Sequence, residues 1–229
     1  MEQVEVKRYN KCPVCGGISL SVYEIKQISG LSGFWCHCSC GVVFENVRAD
    51  KIPYSTKELT DLNESKEIGN RYFHYVKTYF PLIEELTLGR TMLNFADKSN
   101  YLGPYASVRG WYVKDSDADE QVLKYDLIWL CNVLHEKKDC VQFLELIISY
   151  LSDTGVIFIS EPNTDFIFKL GASHWGNWSA EHSYLYWNPK SLGKKLESIG
   201  LDVLISRANN EERYVYKNDF HLLAQRRMI

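Results

Sequence analysis

Five of the seven cysteines fall between residues 12 and 40, in the clusters Cys12-Pro13-Val14-Cys15-Gly16-Gly17 and Trp35-Cys36-His37-Cys38-Ser39-Cys40-Gly41. Two thiolates three residues apart on a tight turn supply half of a tetrahedral zinc shell, and a second such turn supplies the rest. Counting back three from Cys40 reaches His37, so the spacing predicts Cys12, Cys15, His37 and Cys40 as ligands. Cys38 or Cys36 replaces His37 if the second turn is distorted. A shell of four protein ligands leaves no open position, which makes the metal structural rather than catalytic. A ribbon of this size has too little apolar core to fold without it. Disulfide pairing is the alternative. It is disfavoured because Met1-Glu2-Gln3-Val4-Glu5 lacks the basic and apolar regions of a secretion signal.

A second concentration of reactive side chains lies at residues 174–187, where two histidines, three tryptophans and two tyrosines crowd a loop. An imidazole that is neutral near pH 7 can take a proton from a hydroxyl or a carbon acid, which makes His182 the candidate base and His174 a second one. Fixing the loop through backbone hydrogen bonds is the alternative role for His182. Tyr72, Tyr75 and Tyr79 recur at helical spacing and read first as core, with a site role second.

These residues need a scaffold, and residues 124–163 provide its clearest part. Tyr125-Asp126-Leu127-Ile128-Trp129-Leu130 and residues 156–160 have the composition of buried strands. Between them Val141, Leu144, Ile147, Ile148 and Leu151 repeat at helical spacing, which gives a right-handed strand-helix-strand unit of a mostly parallel sheet. Ligands of such sheets sit beyond the carboxyl ends of the strands. Here those ends are Asn132-Val133-Leu134-His135-Glu136 and Ser160-Glu161-Pro162-Asn163.

Upstream, residues 55–85 read as helices capped by Ser55 or Thr56, with Pro81 starting a new turn and Gly89 ending the run. Residues 91–97 form the first strand of the sheet. Leu102-Gly103-Pro104-Tyr105 reads as a turn that blocks a helix after it, and residues 108–113 form the next strand. Asp153-Thr154-Gly155 reads as a turn. Downstream come a helix over 189–199, with Gly200 at its end, and strands at 201–206 and 220–227. The expected organisation is a zinc ribbon at 1–50, linking helices at 51–90 and an α/β domain at 91–229.

Across 229 residues the chain carries 26 basic and 29 acidic residues, a net charge of −3, so its balance calls for neither nucleic acid nor an anionic membrane as partner. With 45% of residues apolar, one substantial core and a smaller unit can be filled. No apolar run reaches the length of a membrane span, and the expectation is a soluble, cytoplasmic protein.

The order of features in residues 70–229 resembles class I S-adenosylmethionine-dependent methyltransferases. The carriers are the acidic start of the 125–130 strand, Leu134-His135-Glu136, the Asp-Thr-Gly turn, the strand ending in Pro162-Asn163, Glu181-His182, and Asn188-Pro189-Lys190. Zinc ribbons precede this domain in several sugar and small-molecule methyltransferases. The resemblance implies a Rossmann-like α/β sheet with cofactor along Asn94, Ala96, Asp97, Asp115 and Asn132. It implies an acceptor near Glu161, Asn163, His174, Tyr184 and His182. Asp115 is either the acid that reads the ribose hydroxyls or a surface loop residue. The chain departs from the family in two ways: no glycine follows the first strand before Gly103, and the stretch from Leu93 to Asp126 is too short for two further helices and strands. Two functions follow, a methyltransferase acting on a small molecule or sugar derivative, or a relative without cofactor that binds a protein partner.

Overall fold

The computed structural model describes residues 11–26, 32–46, 62–95, 102–115, 124–171, 175, 178, 182–208 and 219–227. The expected helix cap at Ser55 or Thr56 lies outside the described residues, as do Ala96, Asp97, His174 and Glu181.

Three short strands open the chain: β1 (Ser19–Lys26), β2 (Ser32–Cys38) and β3 (Val43–Glu45). Helix α1 (Leu62–Leu86) follows, then β4 (Thr91–Phe95), α2 (Leu102–Val108) and β5 (Tyr112–Asp115). The central unit is β6 (Tyr125–Cys131), α3 (Cys140–Ser149) and β7 (Leu151–Pro162). Then come α4 (Asp165–Leu170), the two-residue β8 (Leu185–Tyr186), α5 (Pro189–Ser198), β9 (Leu201–Ala208) and β10 (Asp219–Arg226).

Two sheets result. The main one has the order β5-β4-β6-β7-β10-β9, and the second the order β1-β2-β3-β8. The first four strands of the main sheet run parallel, while β10 is antiparallel to both its neighbours. This is the mostly parallel Rossmann-like sheet that the strand-helix-strand pattern predicts. Its centre is hydrophobic on both faces because β6 is apolar from Leu127 to Cys131 and β7 from Val156 to Ile159. Trp129 and Phe158, paired in register, stack with centroids 4.0 Å apart on the face covered by α1 and α2. Leu93, Ile128, Leu130, Ile157 and Ile159 fill the opposite face beneath α3, α5 and the ribbon.

Local chemistry explains the helices. In α5, Asn188 Oδ1 accepts from Ser191 N at 2.7 Å while Ser191 Oγ accepts from Asn188 N, a capping box with Pro189 in the first turn. Helix α2 corrects the expected turn. Pro104 is its third residue, where the missing N–H would have had no helical partner in any case. Helix α1 runs unbroken through Pro81, with Tyr75, Tyr79, Phe80 and Ile83 buried on both sides of it. The expected turn at Asp153-Thr154-Gly155 lies inside β7.

The amino end of the sheet is tied by Asp126. Its carboxylate accepts from Thr91 N at 3.0 Å, Thr91 Oγ1 at 2.7 Å and Ser152 Oγ at 3.2 Å, which links β4, β6 and β7. No described helix is long and apolar enough to cross a membrane.

Candidate active site and metal centre

The sulfurs of Cys12, Cys15, Cys38 and Cys40 lie within 4.8 Å of one another. The Cys12–Cys40 pair is 3.8 Å apart and Cys15–Cys38 3.4 Å, and none of these cysteines is in a disulfide. Two turns hold them. Gly16 N donates to Cys12 O at 2.9 Å, and Gly41 N to Cys38 O at 2.9 Å. The thiol of Cys40 hydrogen-bonds Cys12 and holds it well below the usual thiol range, while the same contact pushes Cys40 up. A close set of four sulfurs with one thiolate already favoured fits a tetrahedral zinc ion.

The set contains Cys38 where the spacing rule placed His37. Alternation along β2 sends neighbouring side chains to opposite faces. Cys38 therefore points into the cluster, and His37 packs on Phe168 with centroids 4.7 Å apart. Burial lowers the pKa of His37 and favours its neutral form.

At the carboxyl end of the main sheet, Asn94 and Asn132 close β4 and β6. Asn94 is buried and donates through Nδ2 to Asp115 Oδ1 at 2.8 Å, but its own Oδ1 has no hydrogen-bond partner among the described residues. Asp115 is the exposed last residue of β5, in register with Asn94. Asn132 has φ 55, the left-handed region, and is the only non-glycine there among the described residues. Its N donates to Ser160 O at 2.9 Å, and its Oδ1 is likewise buried without a partner. Positive φ at a non-glycine clusters at ligand sites, and a buried acceptor without a donor among the described residues marks a place where a ligand donor would be accommodated.

Beside these amides stands a carboxylate that is fully engaged. Glu161 is 1% exposed. Its Oε1 accepts from Val133 N and Leu134 N, both at 2.8 Å, and its Oε2 lies 2.6 Å from His135 Nδ1. A carboxylate at that distance accepts a hydrogen bond from Nδ1–H, the tautomer in which Nε2 carries the lone pair. Nε2 is 3.8 Å from Glu136 Oε1, too far for a hydrogen bond. The His135 ring stacks on Tyr186 at 5.7 Å and 12°.

The other expected site residues fall around this pair. Tyr184 is buried, and its N donates to His135 O at 2.7 Å. Asn163 is buried, and its Oδ1 accepts from Asp165 N at 3.0 Å at the start of α4. His182 is half-buried in the turn before β8, two residues ahead of Tyr184. Sequence reasoning noted the His135-Glu136 pair but gave His135 no role. The available signal was its place one strand-end away from Glu161.

No curated protein matches the chain in sequence. Among solved structures, an S-adenosylmethionine-dependent methyltransferase from Clostridium acetobutylicum ATCC 824 is similar at 12% identity and TM-score 0.44, over 69% of this chain and 99% of that one. A 1,6-didemethyltoxoflavin-N1-methyltransferase from Burkholderia thailandensis is similar at 12% identity and TM-score 0.43, over 85% and 99%. A complex of the Haloferax volcanii Trm112 methyltransferase activator with a putative methyltransferase gives 12% identity and TM-score 0.46, over 73% and 96%. A family described as methyltransferase domain matches residues 37–205, most of the chain, and to that family the chain belongs.

Proposed function

We propose that the chain is an S-adenosylmethionine-dependent methyltransferase acting on a small molecule or sugar derivative. One observation carries this reading. The buried amide oxygens of Asn94 and Asn132 end adjacent parallel strands without donors among the described residues. S-adenosylmethionine presents complementary donors, an ammonium and two ribose hydroxyls. Asp115, bonded to Asn94, offers a carboxylate beside them, and Ala96 and Asp97, next in sequence after β4, are assigned to the same ligand in this reading. When bound, the cofactor supplies an electrophilic methyl group on its sulfonium. The protein contributes alignment and desolvation, since a direct displacement requires no nucleophilic side chain.

Glu161 fixes the His135 tautomer and ring, so that Nε2 accepts the proton released as the acceptor is methylated. His182 is the second candidate for this step. Glu161, Asn163 and Tyr184 line the acceptor side in this reading, and His174 is assigned to it from the sequence alone. The four cysteines hold a structural zinc ion.

A second reading, a cofactor-free subunit that binds a protein partner, is favoured by the absence of glycine from residues 94–102. The deciding experiment is calorimetric titration of the zinc-loaded chain with S-adenosylmethionine and S-adenosylhomocysteine. The enzyme reading expects one saturable site per chain that is weakened by Asn94→Leu. No heat and no thermal stabilisation at millimolar ligand would leave the partner-binding reading.

A further inference from the structure

We propose that Tyr186 is the positioning residue of the His135–Glu161 pair, and that the ribbon forms one wall of the catalytic site by holding Tyr186. Calling the pair catalytic rests on the function proposed above; the mechanical link itself does not.

The segment 184–187 is clamped from three sides. On the ribbon side, β8 is the fourth strand of the ribbon sheet: Val43 pairs with Tyr186, Phe44 with Leu185, and Glu45 N donates to Tyr184 O at 3.0 Å. On the side of the main sheet, Asn163 bridges Trp187, and Thr164 N donates to Trp187 O at 3.0 Å. On the third side, Tyr184 N donates to His135 O at 2.7 Å, and the Tyr186 ring lies nearly parallel to the imidazole.

Behind Tyr186 stand three indoles. The centroid of Trp35, from β2, is 5.0 Å from the Tyr186 ring, that of Trp175 4.9 Å and that of Trp178 5.7 Å. The Tyr186 ring thus touches Trp35 of the ribbon, Trp175 and Trp178, and the imidazole of His135.

The clamp connects to the metal centre through few bonds. Cys38 ends β2 and Cys40 lies three residues before β3. Between them and the main domain, Thr164 Oγ1 donates to Gly41 O at 2.8 Å. Gly41 has φ 94, and a Cβ there would stand 2.2 Å from Asn188 Nδ2, so the second cysteine turn is fitted directly against the start of α5. If the four sulfurs part, β3 and β8 lose their anchor, and the Tyr186 ring loses its backing.

An imidazole with a carboxylate at Nδ1 keeps one tautomer only while ring and carboxylate stay aligned. Ring stacking adds an out-of-plane restraint to the in-plane hydrogen bond at Nδ1. This explains why a zinc shell without an open position is built against the reactive end of the sheet.

The test is long-range proton–nitrogen NMR of the full chain, zinc-loaded and labelled at histidine nitrogens, with His135 assigned through His135→Gln. The expected spectrum shows His135 as a single tautomer protonated at Nδ1. Tyr186→Phe, which keeps the ring, preserves it, whereas Tyr186→Leu gives both tautomers in exchange. Chelation of zinc from the unsubstituted chain under reducing conditions produces the same mixture. Should Tyr186→Leu fail to fold, Trp178→Ala, which removes a partly exposed ring, takes its place with the same expected mixture. A folded variant with an unchanged His135 pattern, or no change on metal removal, overturns the proposal. None of these readouts requires S-adenosylmethionine to bind, so failure of the coupling and failure of the methyltransferase reading are separate results.

Discussion

The two ends of the main sheet handle polar groups in opposite ways. At the amino end the carboxylate of Asp126 accepts three hydrogen bonds from β4 and β7. At the carboxyl end, Asn94 and Asn132 keep buried amide oxygens without donors among the described residues, and Asn132 holds a left-handed backbone as well. A buried acceptor left without a donor costs about 1–3 kcal/mol. The difference is one of local satisfaction: the amino end ties its strands together through a saturated carboxylate, and the carboxyl end keeps acceptors without donors among the described residues, which is what the proposed cofactor site requires. Among the described residues the ribbon is bonded to the second end through Thr164 and β8 and fits closely against Asn188.

Removing the metal should separate the two ends most strongly, because structural zinc sites contribute roughly 10–16 kcal/mol of apparent binding free energy. Cys38→Ser should abolish stoichiometric zinc by elemental analysis, while His37→Gln should retain it, since His37 faces Phe168 instead of the sulfurs. In hydrogen exchange on the Cys38→Ser chain, the amides of Val133 and Leu134, which donate to Glu161, lose protection. The amide of Thr91, which donates to Asp126, keeps it. Equal loss at both ends would mean that the ribbon stabilises the whole sheet and not one end of it.

Next in size are two substitutions of opposite character. Asp126→Ala leaves the donors of Thr91 and Ser152 without their carboxylate and should lower stability by about 2–4 kcal/mol in urea unfolding, with cofactor affinity unchanged. Asn94→Leu removes an acceptor without a donor among the described residues, together with the hydrogen bond to the exposed carboxylate of Asp115, which water can replace. Its cost should stay within about 1 kcal/mol, while S-adenosylmethionine affinity falls at least about tenfold, roughly 1.4 kcal/mol. Tight binding by the Asn94→Leu chain would remove the carboxyl-end amides from the cofactor site.

How much of this was legible in the sequence depends on the range of the interaction. The β6-α3-β7 unit was, because its signal is local: apolar runs of strand length around a helix with Leu144, Ile147 and Ile148 on one face. The first cysteine turn was too, since Cys12 and Cys15 are set by one tight turn. The choice between His37 and Cys38 depends on where β2 ends, and no spacing rule fixes that. Gly155 misled because its role is steric. A Cβ there would stand 2.8 Å from Tyr125 O, so glycine lets β7 approach β6 within a bulge that separates Leu151, opposite Tyr125, from Val156, opposite Leu127. The pairing of β3 with β8 joins residues 43–44 to 185–186 through a strand of two residues, too short to show any period. The pairing of Glu161 with His135 spans two strand ends, and its geometry comes from the fold and not from a motif.

The smallest expected effect lies at the amino end, where α1 meets α2. Arg109 Nε donates to Glu84 Oε1 at 3.0 Å and to Oε2 at 2.9 Å, and Trp111 Nε1 donates to Oε1 at 3.3 Å. The hydrogen bond from Arg109, against partial burial, holds the Glu84 carboxyl below its usual value of 4.5. A carboxyl depressed in the folded state contributes stability that is fully present above its unfolded value and lost as pH falls through the lowered folded value. Arg109→Gln should therefore reduce Tm near neutral pH and converge with the unsubstituted chain in acid, below the depressed value. Because Arg109 is exposed to solvent and screened, the neutral-pH difference should be no more than about 2 °C. It should shrink further at high salt, while cofactor affinity stays the same. A change in affinity with Arg109→Gln would show that the amino end is coupled to the ligand site after all, and the division between the two ends would fail.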